Sequence, residues 1–307
     1  MEKQKGEEDD ERSTCICLLT LPEGCIADIL ALTSPPDVCR FSLVSTSLRS
    51  TADSDSVWEK FLPSDYRSII ARSSTPIPDF RSLKDLYVYL SHHPILIDEG
   101  RKCFSLEKWT GKKCYFLGAR DLNITYGDSP EHWGWTSLPE SRFPEVAQLE
   151  FIRWLEIWGT IRAGTLSPQT SYTAYFVYKF EDDYGFDIRH MEVSVGISGV
   201  ESENVRIAFL HPNPQYVPED LYDSPYTPPS PFDGYVRMED VDWPEETDSD
   251  DKPLPQLRDD GWFELELGEF FTGNEDDCIE LRMQDVKTDC RKQGLIVEGI
   301  EVRPTIA

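Results

Sequence analysis

The spacing of apolar residues changes near residue 100, and this change constrains the fold more than any other feature. Before it, apolar residues recur at helical spacing, as at Leu83, Leu86 and Leu90. After it, short segments such as MEVSVGIS alternate, which places Met191 and Val193 on the same face of a strand. Repeated short strands joined by glycine-containing turns favour an antiparallel sandwich over a parallel α/β sheet. The sequence therefore predicts an α+β protein, with a helical N-terminal part followed by an antiparallel β-sandwich.

The stretch 21–62 predicts three short helices. Pro22 can begin the first one, because its missing N–H would lack a helical partner anyway. The pair of prolines before Asp37 interrupts the apolar pattern, and Asp37 falls in the first turn of a second helix. Asp53 or Asp55 is a candidate cap for the last helix. Three helices in about forty residues form too small a core to be robust alone.

Four short motifs follow one another in this stretch: LPEG, PPD, CRFSLVS and VWEKFL. Helical periodicity alone fits any ordinary helical subdomain, but this order of motifs resembles the F-box. The resemblance implies that the module docks onto the Skp adaptor of a cullin ubiquitin ligase through the apolar faces of its helices. The residues expected to form this contact are Leu21, Pro22, Ile26, Leu30, Val44 and Trp58.

The β part carries a second resemblance, which covers about residues 101–304 apart from one insertion. The stretches CYFLGARDLNITYGDSPEHWGW, SRFPEVAQLEFIRWLEIWGTI, DGWFELELGEFF and GLIVEGIEVRP are similar to the plant phloem lectin family (phloem protein 2, Nictaba-like). The resemblance implies a jelly-roll-like lectin domain, and sugar-binding members of that family hold glycans that contain N-acetylglucosamine. An N-terminal F-box joined to such a domain is a known plant architecture, which the whole chain resembles.

The family's sugar site uses two tryptophans and two carboxylates. The first tryptophan position holds Tyr126 here, and the second is Trp133, with Trp135 just beyond. The carboxylate positions fall on Cys278, which cannot accept a hydrogen bond as a carboxylate does, and on Asp285. We therefore expect Tyr126, Trp133, Trp135 and Asp285 to form the site, with Glu280 as a possible replacement for the missing acid. The alternative is that Trp133 and Trp135 are packing residues of the sandwich.

The chain divides into four parts by composition. An acidic, disordered N-terminus covers residues 1–17, and the F-box covers 18–63. A helical connector follows at 64–100, and the phloem-lectin-like sandwich covers 101–307. A segment rich in proline and acidic residues interrupts the sandwich at about 211–260, and we interpret it as a largely disordered surface insertion.

Charge and hydropathy limit the partners and the location of the protein. The formal net charge is −27, so nucleic acid and anionic membranes should repel the chain. No apolar run approaches the eighteen residues that would indicate a membrane span. The N-terminus is acidic and polar, unlike a secretory signal. We therefore expect a protein of the cytoplasm or the nucleus.

The sequence favours a binding protein over an enzyme. Eight cysteines show no C-x-x-C spacing, so we expect no metal site and no cofactor. No Walker loop, HExxH motif, dinucleotide glycine motif or nucleophile elbow occurs. The main hypothesis is a substrate receptor of a Skp–cullin–F-box ubiquitin ligase. The alternative is a carbohydrate-binding lectin that acts without ubiquitin ligase assembly.

Overall fold

The computed structural model describes residues 21–186, 190–200, 204–212, 253–287 and 291–305. The predicted disordered N-terminus and most of the predicted insertion lie outside these residues. The α+β prediction is confirmed, since the helices of the F-box region precede two antiparallel sheets. The helices within the described residues are α1 (Glu23–Ala31), α2 (Pro35–Phe41), α3 (Thr46–Ala52), α4 (Asp55–Phe61), α5 (Tyr66–Ala71) and α6 (Leu83–His92).

The strands follow the helices. They are β1 (Ile95–Ile97), β2 (Lys102–Leu106), β3 (Lys113–Gly118), β4 (Asn123–Ile124), β5 (Trp133–Thr136), β6 (Val146–Leu149), β7 (Leu155–Arg162), β8 (Ser171–Tyr184), β9 (His190–Ile197), β10 (Val205–Phe209), β11 (Gln256–Leu257), β12 (Phe263–Phe271), β13 (Cys278–Asp285) and β14 (Gln293–Pro304).

The first forty described residues contain four helices rather than the predicted three. The predicted second helix is divided because Ser45 is extended and its side chain accepts a hydrogen bond from the Leu48 N–H at 3.2 Å, which begins α3. Ser34 caps α2 in the same way, and it also donates to Asp37 at 2.7 Å. The Ser34 hydroxyl has the largest effect in lowering the pKa of Asp37, and Arg40 lowers it further. The cap residue of α4 is Ser54, not one of the predicted aspartates.

The strands form two antiparallel sheets. The large sheet has the order β1-β2-β3-β14-β8-β12-β11, and the β5–β6 ribbon joins it through the pairing of β6 with β14. The small sheet has the order β10-β9-β13-β7-β4. The sheets pack face to face: a Cβ on Gly159 of the small sheet would lie 3.2 Å from a methyl group of Leu117 in the large sheet. Alternating burial along β7, β9 and β13 confirms the period-two pattern.

Two predicted boundaries differ from the structure. The helical connector ends in a strand, because Ile95–Ile97 pairs with β2. The end of the predicted insertion is also ordered: β11 pairs with β12, and the Arg258 guanidinium lies 2.6 Å from the Glu301 carboxylate. The charged residues in this part of the chain predict disorder, but in the structure they pair across the outer face of the large sheet.

The helices and the sandwich share one continuous core. Trp58 and Phe61 of α4 pack on Tyr87 of α6, and this cluster continues into the apolar residues of the two sheets. The buried Lys113 ammonium lies 2.9 Å from the Asp65 carboxylate and donates to the Thr165 carbonyl at 3.0 Å. The F-box helices are therefore fixed against the sheets, as the small size of their own core requires.

Within the part of the chain that the structure describes, no helix has both the length and the apolar character needed to cross a membrane.

At the junction between the helices and the sheets, Gly111 lies close to Phe61 and Tyr87. Its φ is +72°, and a Cβ there would lie 2.6 Å from the Phe61 carbonyl oxygen. We expect Gly111→Ala to lower the free energy of unfolding through both backbone strain and overpacking. Gly261→Ala is the matched control, because Gly261 has a φ of +85° and open space around the added carbon.

The difference between the two variants isolates the contact at the junction, since both incur the left-handed strain. Gly111→Ala should lose about 1–3 kcal/mol more than Gly261→Ala, measured by urea unfolding followed by tryptophan fluorescence. Equal losses would show that helices and sheets do not meet closely at this point.

Candidate functional site

Three of the six predicted adaptor-binding residues lie in the core instead of on the surface. Ile26, Leu30 and Trp58 are buried, and the Trp58 indole N–H donates to the Ala52 carbonyl at 2.7 Å. In this conformation their side chains hold α1, α3 and α4 together and cannot contact a partner directly. The apolar stripe of a helix is the face that packing buries, so an apolar position alone does not mark a contact surface.

Most of the large apolar residues exposed in the F-box region lie where helices end. Val44 and Pro22 of the predicted set are exposed, while Leu21 is half-buried against the core. Leu32 after α1 is 88% exposed, and Leu43, beside Val44 between α2 and α3, is 76% exposed. Leu32 and Leu43 are not among the contact residues predicted from the sequence. What distinguishes them is that they are large apolar residues outside the helices.

The two predicted tryptophans of the sugar site have different environments. Trp133 of β5 is buried, and its indole N–H donates to the Thr125 carbonyl at 3.0 Å. It is therefore a packing residue in this structure, which is the alternative that the sequence left open. Trp135 is half-buried, and the Arg120 guanidinium lies 3.5 Å from its ring centroid.

Tyr126 lies in the loop between β4 and β5. It is 60% exposed, with a left-handed backbone (φ of 57°), and its ring centroid lies 5.0 Å from that of His132. The ring keeps one accessible face, but the residue does not line the cleft described below. The structure thus does not bring Tyr126 and Trp135 into one cavity.

Asp285 cannot serve as the predicted sugar ligand in this structure. It lies on the inner face of β13, and its carboxylate lies 2.6 Å from the ammonium of Lys292, which is fully buried. Lys292 also donates to the Arg153 carbonyl at 3.0 Å. The pair lies between the sheets, where no surface ligand can reach it.

Glu280 lies on the opposite, outer face of β13. Its carboxylate lies 2.7 Å from the Arg282 guanidinium, which also pairs with Glu156 and lies 5.7 Å from the Trp158 ring centroid. The acids around half-buried Trp158, Glu280 and Glu156, are therefore each already paired with Arg282.

A cleft of about 360 Å³ lies near these aromatic residues. Trp135 of β5 and Trp158 of β7 line it together with Asn123, Asp128 and Arg120. Two aromatic rings with a few polar groups are typical of a small-ligand site of this size. Trp158 is outward-facing by the alternation of β7, but only the pairing of β4 with β7 places it beside the loop that follows β4.

The fold is that of a small helical module joined to an antiparallel β-sandwich. The sequence model of the family Phloem protein 2 matches residues 112–304, and that of the F-box domain matches residues 18–60. The chain belongs to the phloem protein 2 family and carries an N-terminal F-box domain. Both are adaptor-type or lectin-type domains, and neither match indicates an enzyme family.

Several proteins from Arabidopsis thaliana are similar to this chain over most of their length. An F-box protein is 41% identical over 286 residues, which cover 93% of this chain and 79% of that relative. The putative F-box protein PP2-B12 is 40% identical over 288 residues, with coverages of 93% and 97%. F-box protein PP2-B15 is 39% identical over 293 residues, with coverages of 93% and 96%.

Among solved structures, a Podospora anserina β-(1,4)-mannanase covers 63% of this chain and 28% of its own, with 9% identity and a TM-score of 0.32. A similarity at that level carries no argument about fold or function.

The buried position of Asp285 makes a prediction about stability. Asp285→Leu leaves the Lys292 ammonium buried without this partner and should cost about 3–5 kcal/mol of unfolding free energy. The double variant Asp285→Leu/Lys292→Met removes both charges and should recover most of that loss. Urea unfolding of the single and double variants measures both effects.

Glu280→Leu is the control, since it removes a partly exposed carboxylate from the same strand and should change stability by about 1 kcal/mol or less. If Asp285→Leu were as mild as this control, Asp285 would be accessible to solvent and could again be a ligand residue.

Proposed function

We propose that this protein is the target-binding subunit of a Skp–cullin–F-box ubiquitin ligase, acting in the cytoplasm or the nucleus. The F-box would dock the Skp adaptor, and the sandwich would hold the protein to be ubiquitinated. The observation that carries the proposal is the group of large apolar side chains exposed on an F-box: Leu32, Leu43 and Val44. Partner enzymes would transfer the ubiquitin, and this chain would hold the target in position.

Exposed apolar surface of this kind favours a protein partner. Burying a leucine or valine side chain contributes about 1.5–3 kcal/mol, and clusters of such side chains mark interaction sites. Their positions at helix ends leave them free of the packing that occupies Ile26 and Leu30. The buried residues would hold the helices in place while the exposed ones make the contact.

The fused core supports the second half of the proposal. Lys113 pairs with Asp65, and the Arg72 guanidinium lies 2.7 Å from the Asp98 carboxylate, so two ion pairs as well as apolar contacts cross the junction. A bound target would keep a constant orientation relative to the adaptor. A ubiquitin ligase needs this, because the transferred group must reach a lysine of the target.

The docking surface can be tested by charge substitution. Leu43→Asp combined with Val44→Asp should weaken binding to a purified Skp adaptor at least about tenfold, since apolar burial is replaced by buried charge. Calorimetric titration measures the affinity, and circular dichroism checks that the helices persist. Leu257→Asp is the matched control, because Leu257 is an exposed leucine of the sandwich.

Unchanged affinity in the double variant would remove this surface from the docking site. A wild-type protein that binds no Skp adaptor would instead favour the lectin that acts without ligase assembly.

We further propose that the sandwich recognises its target through glycans, among them those containing N-acetylglucosamine, in the cleft of Trp135 and Trp158. Sugars present C–H groups on one face, which stack on aromatic rings. Asn123, Asp128 and Arg120 offer donors and acceptors for the hydroxyl groups at the rim. The family's sugar-binding members support this assignment, and the proposed site shares only Trp135 with the one predicted from sequence.

Single substitutions can distinguish the cleft of Trp135 and Trp158 from the sugar site predicted from sequence. Trp158→Ala should weaken glycan binding at least about tenfold, because a central tryptophan of a binding site commonly contributes that much. Trp154→Ala is the control, since Trp154 is 55% exposed immediately before β7 and does not line the cleft. A glycan array identifies a ligand, and calorimetry compares the variants.

Tyr126→Ala should leave binding within about twofold, because Tyr126 lies outside the cleft. The reverse result, with Tyr126→Ala harmful and Trp158→Ala neutral, would restore the site predicted from sequence.

A further inference from the structure

Three aromatic rings form a row on the surface of the sandwich, and we call them the aromatic row. The ring centroid of Tyr126 lies 5.0 Å from that of His132, which in turn lies 6.1 Å from that of Phe151. Tyr126 is exposed, and the other two rings are half-buried. None of the three lines the cleft of Trp135 and Trp158. Exposed apolar groups that lie together mark interaction sites, so the row is a candidate surface separate from that cleft.

The aromatic row is held in place by hydrogen bonds of the backbone around it. The Ser129 N–H donates to the Tyr126 carbonyl at 2.8 Å, and the Trp133 N–H donates to the Ser129 carbonyl at 2.9 Å. The His132 Nδ1 lies 2.8 Å from the Phe151 carbonyl oxygen, which can only accept, so Nδ1 carries the proton. A surface that is already fixed in this way loses less entropy when a partner binds.

Two exposed carboxylates flank the row. Glu131 directly precedes His132 in the chain, and Glu150 directly precedes Phe151. The Glu150 N–H donates to the His132 carbonyl at 2.9 Å, which places Glu150 beside His132 across the β5–β6 ribbon. In the part of the chain that the structure describes, neither carboxylate forms an ion pair or a side-chain hydrogen bond. Both are therefore available to a cation that a partner supplies.

One guanidinium of the chain already stacks on the aromatic row. Arg291 is exposed, and its guanidinium lies 4.9 Å from the Phe151 ring centroid. Arginine stacks on aromatic faces because the electron-rich face of the ring attracts its charge and the two planes match. Tyr126, at the other end of the row, has no such cation over its ring among the described residues. Its accessible face therefore offers the same contact to a cation from outside the chain.

We propose that the aromatic row docks a basic segment of the target protein, with an arginine of that segment stacked on Tyr126 and flanked by Glu131 and Glu150. The charge of the chain favours this occupant, since a net charge of −27 attracts a basic segment and repels both a second copy of the chain and an anionic membrane. This inference rests on the proposed target-binding role, and it adds a protein surface to the glycan cleft.

The test uses a fluorescein-labelled peptide of alternating arginine and glycine, titrated into the full-length protein and followed by fluorescence anisotropy. The reference peptide has citrulline in place of every arginine, which keeps a planar side chain but removes its charge. We expect the arginine peptide to bind at least about fivefold more tightly, because both the ring and the two acids favour the cation. Physiological ionic strength, with a Debye length of about 8 Å, limits the attraction of distant charges.

Substitutions of Tyr126 test the stacking contact. Tyr126→Ala should weaken binding of the arginine peptide about two- to fivefold, as the loss of one exposed cation–π contact predicts. Tyr126→Phe keeps the ring and should bind within about twofold of the wild type. Phe271→Ala is the matched control and should keep the affinity, because Phe271 is an exposed aromatic residue at the end of β12.

Substitutions of the acids test the charge contact. The double variant Glu131→Gln/Glu150→Gln should weaken binding of the arginine peptide at least about threefold, because two exposed charge contacts are lost. The double variant Glu275→Gln/Asp276→Asn removes the same net charge from the turn between β12 and β13, where both residues are exposed, and should keep the affinity. The control therefore measures the non-specific attraction to an acidic chain.

The outcomes separate this inference from the functions proposed above. Absence of binding, or equal affinity for the arginine and citrulline peptides, would overturn it. Unchanged affinity in Tyr126→Ala would also overturn it, as would equal losses in the two double acid variants. Displacement of the peptide by a glycan that the array identifies would return Tyr126 to the sugar site and overturn the inference too. A wild type that binds the peptide but no Skp adaptor would overturn the ligase function and leave the aromatic row in place.

Discussion

The junction between the F-box helices and the sandwich is the contact on which the rest of the structure depends. Four helices of seven to nine residues bury too little apolar surface to be stable alone. Trp58 and Phe61 therefore complete their packing on Tyr87 of α6, which in turn donates from its hydroxyl to the Lys108 carbonyl at 3.2 Å. Stability of the docking module is thus inseparable from that of the domain that would hold the target.

This junction gives the two proposed functions a common physical basis. The exposed residues at the helix ends and the cleft beside β4 and β5 belong to one packed body, with its core continuous between them. A rigid connection fixes the distance and angle between the surface proposed to dock the adaptor and the cleft proposed to bind the glycan. A flexible connection would instead sample many orientations, of which few would be productive.

Particular residues show how far sequence reasoning reached. The period-two pattern correctly placed Met191 and Val193 in the core. The helical pattern correctly found Ile26 and Leu30 as an apolar face, but such a face is the one that folding buries. The resemblance to the phloem lectin family indicates Asp285 as a sugar ligand through its position along β13. Its side chain, however, faces the interior, where Lys292 neutralises its charge.

The sequence alone determined the fold class, the order of the two domains and the families to which they belong, because these follow from local periodicity and ordered motifs. Only the tertiary structure decided which aromatic residues share a cleft and which stand apart. Trp135 and Trp158 come from strands β5 and β7 of different sheets, and the loop after β4 brings them to the same cavity. Alternation tells which face of a strand a side chain occupies, but the neighbours on that face depend on strand pairing between distant segments.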